Sequence, residues 1–396
     1  MRSRMNDTIT SGEVYSWTLE HLLKARLVKD HGWLCTARVV LSIALRAAGR
    51  CISVFAACRD LAQGPCAQAV MDALSAGLPK TLPVLERRLN EALTDPLPRR
   101  MRRRSWEVAI DWHLQPYYGE PQTSRNELYY GEPKQGTTKF HAYASACIVE
   151  YGRRYTVALT WVRRHELMVA VLRRLLATIR EKGLKITRIL VDRAFFNVPV
   201  IEFLRAENLP FIMPVVIRGR APRKGRKRTG LRWIKRQPAG WYPHTMKSGK
   251  RQVSVSICVN YHGYRACKNR RRRHRKERRR QQKLLFAAWR VYASPTAIRE
   301  HYRLRFGIET SFRQMRQARI YTCTRSPHLR LFFLALALIL RNLWVWIHQT
   351  RLADGSGDDL TLHLERLRFK RMLDWIVYEV VALFHDGSTP CVEWSP

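Results

Sequence analysis

From Trp17 to about Leu97 apolar residues return at three- and four-residue steps, the period of helices, with breaks at Gly32, Gly49, Gly64-Pro65 and Gly77-Leu78-Pro79. The short units around Ser53 to Leu74 have the spacing of a helix-turn-helix, and an all-α support domain fits them equally well. A basic linker, Arg99 to Arg104, closes this part. The rhythm then changes. Val108 to Ile110, His141 to Glu150, Tyr155 to Val162 and Ile186 to Val191 are apolar or alternating runs, which predict strands. Glu166 to Lys182, ended by Gly183, and Val198 to Glu207 predict helices, and Phe211 to Val216 a further strand. From Thr296 through His348 the period is helical again, and a last helical segment spans about Leu360 to Phe384. The end, from His385, reads as irregular.

Three strands in succession, then helix, strand, helix, strand, describe an α/β fold: a mixed sheet with helices on its faces, in the order of the ribonuclease H-like fold. The segment Arg218 to Gln282 interrupts it. Arg218 to Arg236 holds ten Lys or Arg, the strand-like Val253 to Asn260 follows, and Arg265 to Lys283 holds twelve more against one Glu277. The organisation expected is a helical N-terminal DNA-binding region with its basic linker over 1–104 and a first part of the core over 105–217. A basic β-rich insertion follows over 218–290, part of Asn269 to Arg280 reading as disordered, then the second part of the core over 291–350 and a helical C-terminal segment over 351–396.

Charge sharpens this picture. Lys and Arg total 72 against 31 Asp and Glu, a formal +41, an excess that calls for a polyanionic partner whose counterions are released on binding. Hydrophobic residues at 46% supply real cores, which excludes a histone-like tail. The polar stretch Met1 to Gly12 and nine scattered Cys fit a cytosolic, nucleoid-associated protein with reduced thiols. The most apolar run, Leu331 to Leu340, is stopped by Arg341 and Asn342 and suits a buried helix, so no membrane role is expected. Cys258, His262, Cys267 and His274 are of zinc-binding type, but their spacing fits no common knuckle.

Where acids are scarce, their positions inform. Asp111 follows the strand Val108-Ala109-Ile110, Asp192 follows Ile189-Leu190-Val191, and Glu309 lies in the helical run after the insertion. Two strand-end carboxylates and one on a helix can hold two Mg²⁺ ions, with Mn²⁺ able to substitute, for cutting a phosphodiester. On a continuous helix at ~100° per residue, Tyr302, Arg305, Glu309 and Arg316 fall within about 60° of one another. That stripe can aim a carboxylate and phosphate-contacting groups at one DNA strand.

Tyr302-x2-Arg305-x3-Glu309-x6-Arg316 resembles the Tyr-Arg-Glu-Lys signature of DDE transposases of bacterial and archaeal insertion sequences, the insertion sequence 4 superfamily. Asp192-Arg193-Ala194-Phe195 is similar to that family's second-Asp motif, and Asp111-Trp112-His113 stands in the place of the first. Arg316 replaces the usual Lys and Ala194 the usual Gly. The resemblance implies that Asp111 bridges two metals while Asp192 and Glu309 each complete one site, and that Tyr302, Arg305 and Arg316 grip transposon-end phosphates. It further implies cleavage through a hairpin, joining of 3′-hydroxyl ends to target DNA, and a homodimer on double-stranded DNA without a small-molecule cofactor. Arg313 on the same run, Lys134 and Lys139 in the loop Tyr117 to Lys139, and the aromatic Phe306 and Trp289 are further candidate DNA contacts; a core role fits Trp289 as well. Leu360 to Phe384 is the candidate dimer contact, a helix packed on its own core being the other reading. The rivals are a nuclease or resolvase of the same fold and a non-catalytic DNA-binding protein derived from a transposase.

Overall fold

The computed structural model describes residues 8–150, 152–217, 228–262, 282–355 and 360–385. Five helices open the chain: α1 (Ser11–Lys24), α2 (Ala37–Arg50), α3 (Val54–Arg59), α4 (Ala67–Gly77) and α5 (Leu82–Thr94). Thr10, Thr36 and Ser53 start three of them by accepting the backbone N–H groups of Glu13, Val39 and Ala56. The basic segment expected as a linker is instead packed. Arg99–Arg102 forms a 3₁₀ turn that buries Met101, whose carbonyl accepts from Trp106 Nε1 at 2.6 Å.

The core follows as β1 (Ser105–Pro116), β2 (Tyr129–Lys134), β3 (Thr137–Ile148), β4 (Thr156–Val162), α6 (Met168–Glu181), β5 (Lys185–Val191), α7 (Val198–Ala206) and β6 (Phe211–Pro214). After it come α8 (Gly230–Ile234), β7 (Gly240–Ser248), β8 (Arg251–His262), β9 (Gln282–Trp289), α9 (Pro295–Arg303), α10 (Phe306–Met315), α11 (Pro327–Ile347) and α12 (Phe369–Leu383). The strands form one mixed sheet in the order β2-β3-β1-β5-β6-β9-β8-β7, with β4 paired to β3. β1 is antiparallel to β3 and parallel to β5, and β5 is parallel to β6. This is the ribonuclease H-like arrangement with helices on both faces.

Four expectations change. The first strand does not stop before Asp111 but runs on to Pro116, because β3 pairs with it from Phe140 to Ile148. The expected loop Tyr117 to Lys139 contains β2. The strands after Arg218 widen the main sheet, β9 pairing with β6 and β8 with β9. The helical run from Thr296 is broken at Leu304-Arg305 and again by an extended stretch over 319–326. The expected disorder of Asn269 to Arg280, the irregular end after His385 and two of the four zinc-type residues, Cys267 and His274, lie outside the described residues.

One face of the sheet packs on the N-terminal helices, α6, α7 and α11. The other is a smaller apolar layer, in which Ala109, Cys147, Leu190, Ile212 and Phe286 meet Ile298 of α9 and Ile308 of α10. Cys258 lies in this layer too, and burial pushes its thiol up to about 12, so it is a core residue. Pro327–Leu352 is long and apolar enough to cross a membrane, but 94% of its apolar window is buried inside the protein, as a core helix is. α12 buries Met372, Leu373, Ile376 and Val380 against α1 and α2. The approach is close at Gly49, where an added Cβ would meet Val377 Cγ2 at 2.6 Å. That apolar face, offered above as a dimer contact, is therefore covered by the chain itself.

The free edge of β4 is closed by side chains. Asn90 of α5 accepts from Leu159 N at 2.7 Å and donates to Leu159 O at 2.8 Å; Glu86 accepts from Trp161 N at 2.9 Å and Thr160 Oγ1 at 2.6 Å. Asn342 of α11 accepts from Thr156 N at 3.0 Å and donates to Thr156 O at 2.7 Å. Burial holds the Glu86 carboxyl above its ordinary value, despite these donors and Arg174. A folded-state value above the unfolded one means the native protein binds the extra proton, so this group's contribution falls as pH rises from near 4.5 through its raised value. Glu86→Gln should flatten that part of the stability-pH curve in denaturant titrations between pH 4 and 7. An unchanged curve would remove Glu86 as its source.

Candidate active site

Asp111 is the seventh residue of β1, on the face of the sheet that carries α9 and α10. Polar Asp111, His113 and Gln115 alternate on that face while Trp112 points to the other, its ring meeting Tyr129 and Phe195 at centroid distances of 5.4 and 6.4 Å. Asp192 leaves the end of the neighbouring β5 and opens a 3₁₀ turn, Arg193–Phe195, whose Phe195 is core. Since β1 and β5 are parallel and Ile110 registers with Val191, the two Asp residues stand side by side. Glu309 comes from the first turn of α10. Gly307 lets that helix lie on the sheet: a Cβ there would meet Arg154 Nε at 3.0 Å and Val149 Cβ at 3.4 Å.

All three carboxylates converge on Arg305. Its Nη1 lies 2.8 Å from Glu309 Oε1 and 3.7 Å from Asp111 Oδ2, and its Nη2 lies 3.4 Å from Asp192 Oδ1. Arg305 is only 6% exposed, turned inward on the acids rather than outward to DNA as its place in the stripe predicts. Burial pulls its proton affinity down, yet Tyr302 and the three acids outweigh this and hold it firmly charged. Asp111 is pushed up to about 6, chiefly by burial, against the pull of Arg305 and of the Trp112 N–H that donates to it at 2.9 Å. Tyr302 stands on α9, across the helix break from Arg305, its ring 5.0 Å from Phe286 and 5.9 Å from the guanidinium carbon. Burial raises its phenol well above the ordinary value. The face is pinned to the sheet by Glu107 of β1, which pairs with Arg188 and, at 3.0 Å, with His301 Nδ1.

Among the described residues no three His, Cys, Asp or Glu side chains stand together as a ready metal cage. Here a guanidinium takes the centre. The donor set is nonetheless all carboxylate oxygen, drawn from two strands and a helix onto one cation, which suits a hard divalent ion.

The remaining candidates separate. Phe306 is 55% exposed and lines a cleft of about 750 Å³ with Arg193, Phe286, Tyr302 and Arg303. Arg313 is exposed on α10. Arg316, at the end of α10, borders a different pocket, shared with Lys134 and His113. Lys139 is held by Glu120 at 2.7 Å. Trp289 is not part of the site: it is level with Phe211 in the register, packs on the opposite face of the sheet from Phe286, and stacks under Arg205 and Arg290. Two further groups lie on the same face of the sheet. Ser145, opposite Asp111 in register, is 2% exposed and its hydroxyl has no partner among the described residues. His113 is pushed down to about 4 by burial and by Arg316, Lys134 and Arg319, so its ring is neutral near pH 7. Pairing across β3, which no spacing in the sequence reveals, puts Ser145 there.

A family model described as the transposase DDE domain matches residues 102–343, more than half of the chain. The chain belongs to the DDE transposase family. The match begins in the packed basic turn before β1 and ends inside α11, so it spans Asp111, Asp192 and Glu309. No curated protein matches the chain in sequence. Among solved structures it is similar to a piggyBac transposase in a synaptic complex with hairpin DNA, seen by cryo-electron microscopy. The TM-score is 0.53 at 12% identity, over 94% of this chain and 78% of that one, a likeness of fold.

Proposed function

We propose that this chain is a DNA transposase of the insertion sequence 4 type, acting as a homodimer that binds the inverted repeats of its element, cuts them and joins their 3′-hydroxyl ends to target DNA. The observation that carries the reading is the convergence of Asp111, Asp192 and Glu309 on one cationic centre. In this reading Asp111, Asp192 and Glu309 would together hold Mg²⁺, with Mn²⁺ able to substitute. Such ions lower the proton affinity of a water or hydroxyl and stabilise the oxygen that leaves.

The chain's own residues do the rest. Arg305 keeps three like charges together in a site where burial already raises Asp111; displaced from the centre, its fork is placed to donate to a phosphate of the bound strand. Exposed Arg313 and Arg193 add backbone contacts. The cleft floored by Phe286 and Tyr302 and flanked by Phe306 and Arg303 suits a base turned out of the helix, which a hairpin intermediate requires.

The test uses the full chain, Mg²⁺ and a supercoiled plasmid carrying the DNA that flanks the coding region, with a second plasmid as target. Expected are end-specific nicks, a hairpin species on denaturing gels and joined products that chelation abolishes. Cutting without joining makes the protein a nuclease, and nicking that survives Asp192→Ala unchanged removes this site from the reaction.

A further inference from the structure

Four cations surround a pocket of about 180 Å³ beyond the carboxylates: Lys134 at the end of β2, Arg316 and Arg319 after α10, and Arg330 in the first turn of α11. His113 forms its wall, two residues along β1 from Asp111 on the same face, so the pocket begins about 7 Å from the cutting site. No Asp or Glu lines it, and among the described residues none of the four cations is in an ion pair. Arg330 is the unusual member. It is 8% exposed, its Nε donates to Thr324 O at 2.7 Å, and its guanidinium lies 4.7 Å over the Tyr117 ring. An arginine buried to this degree without a counter-charge is costly, the more so with three further cations at the same pocket. Such a cluster is explained when an anion completes it.

We infer that this pocket seats one backbone phosphate of the DNA strand that is cut at the carboxylates, one or two nucleotides from the cut, with Arg330 as its buried anchor and Lys134, Arg316 and Arg319 as its rim. The inference rests on the proposed function and adds a fixed register for the strand. Arg316, read above as part of one stripe with Glu309, serves a different phosphate from Arg305, since the two sit at opposite ends of α10, on the order of 15 Å apart along the helix. Contacts of this kind, from cations to a backbone phosphate, hold a strand in place without reading its sequence.

The experiment combines Arg330→Gln, Arg330→Lys and Arg319→Gln in the full chain with end DNA carrying one uncharged methylphosphonate at a time through the positions flanking the cut. For the unaltered chain, affinity should fall about tenfold at one or two adjacent positions and little elsewhere. Arg330→Gln should lose about the same on unmodified DNA, lower the salt slope by about one, and lose nothing further at those positions. Arg330→Lys should recover part of the loss. Should Arg330→Gln fail to fold, Arg319→Gln on the exposed rim carries the same comparison with a smaller loss. A flat scan, or losses that multiply in full, overturns the inference and leaves cutting and joining to stand on their own test. A parallel arm melts the protein in millimolar inorganic phosphate. If phosphate stabilises the unaltered chain and not Arg330→Gln, while end DNA is neither bound nor cut, the pocket takes a free anion, and both its assignment to DNA and the transposase reading fall.

Discussion

Asp192→Asn should reduce Mg²⁺-dependent strand cleavage by about a thousandfold or more while leaving binding of end DNA and the melting temperature nearly unchanged. The substitution keeps shape and removes one charge from a set that would hold the ions, and losing several kcal/mol of transition-state stabilisation corresponds to roughly three decades in rate. The fold is spared because Asp192 sits at a strand end with a partly exposed side chain, and Arg305 retains Asp111 and Glu309 as partners. Plasmid nicking, gel retardation and thermal melting on the same preparation separate the effects. Full cleavage by the variant would show that the three acids serve only to neutralise Arg305.

Asn342→Ala should act in the opposite sense, lowering stability by about 4 kcal/mol or more, with any loss of cleavage following from unfolding. Asn342 is fully buried in α11. Its side chain accepts from Thr156 N and donates to Thr156 O at 2.7 Å and to Leu93 O at 2.8 Å, joining α11 to β4 and to the end of α5. Truncation leaves three backbone groups unpaired in the core, each costing about 1–3 kcal/mol. In a chain of this size that corresponds to a fall on the order of 5–10 °C in melting temperature, read by calorimetry or circular dichroism. A fall of a degree or less would mean that water replaces the lost amide.

The sequence displays most of this framework wherever one face of an element is uniformly apolar. β4 stands out because its run is nearly continuous, and Asp192 because it follows the apolar Ile189-Leu190-Val191 that closes β5. β1 reads too short for the reason that makes it important: Asp111, His113 and Gln115 interrupt its apolar pattern on the side that faces the site. β7 and β9 are masked by the basic runs around them, which read as solvated loop although the strands between them widen the sheet. The break at Leu304-Arg305 has no Gly or Pro to announce it, so four residues that periodicity places on one stripe divide in space. Tyr302 and Glu309 stay with the carboxylates and Arg316 leaves for the phosphate pocket. Arg305 is the hardest case, since a basic residue in a chain of +41 is assumed to face outward until the burial and the three acids around it are known.

The sealing of β4 has a consequence for how such a protein can vary. Amide and carboxyl side chains from α5 and α11 occupy the backbone groups on that margin, so another strand from this chain or a neighbouring molecule could join there only by expelling a helix. On the far side the sheet passes through β9 and β8 to β7 and ends at an ordinary strand. Lengthening, shortening or replacing that hairpin changes the width of the molecule without shifting the register of β1 against β5, which sets the two aspartates side by side. The transposase thus has a conservative margin and a permissive one, with its chemistry on the strands between them.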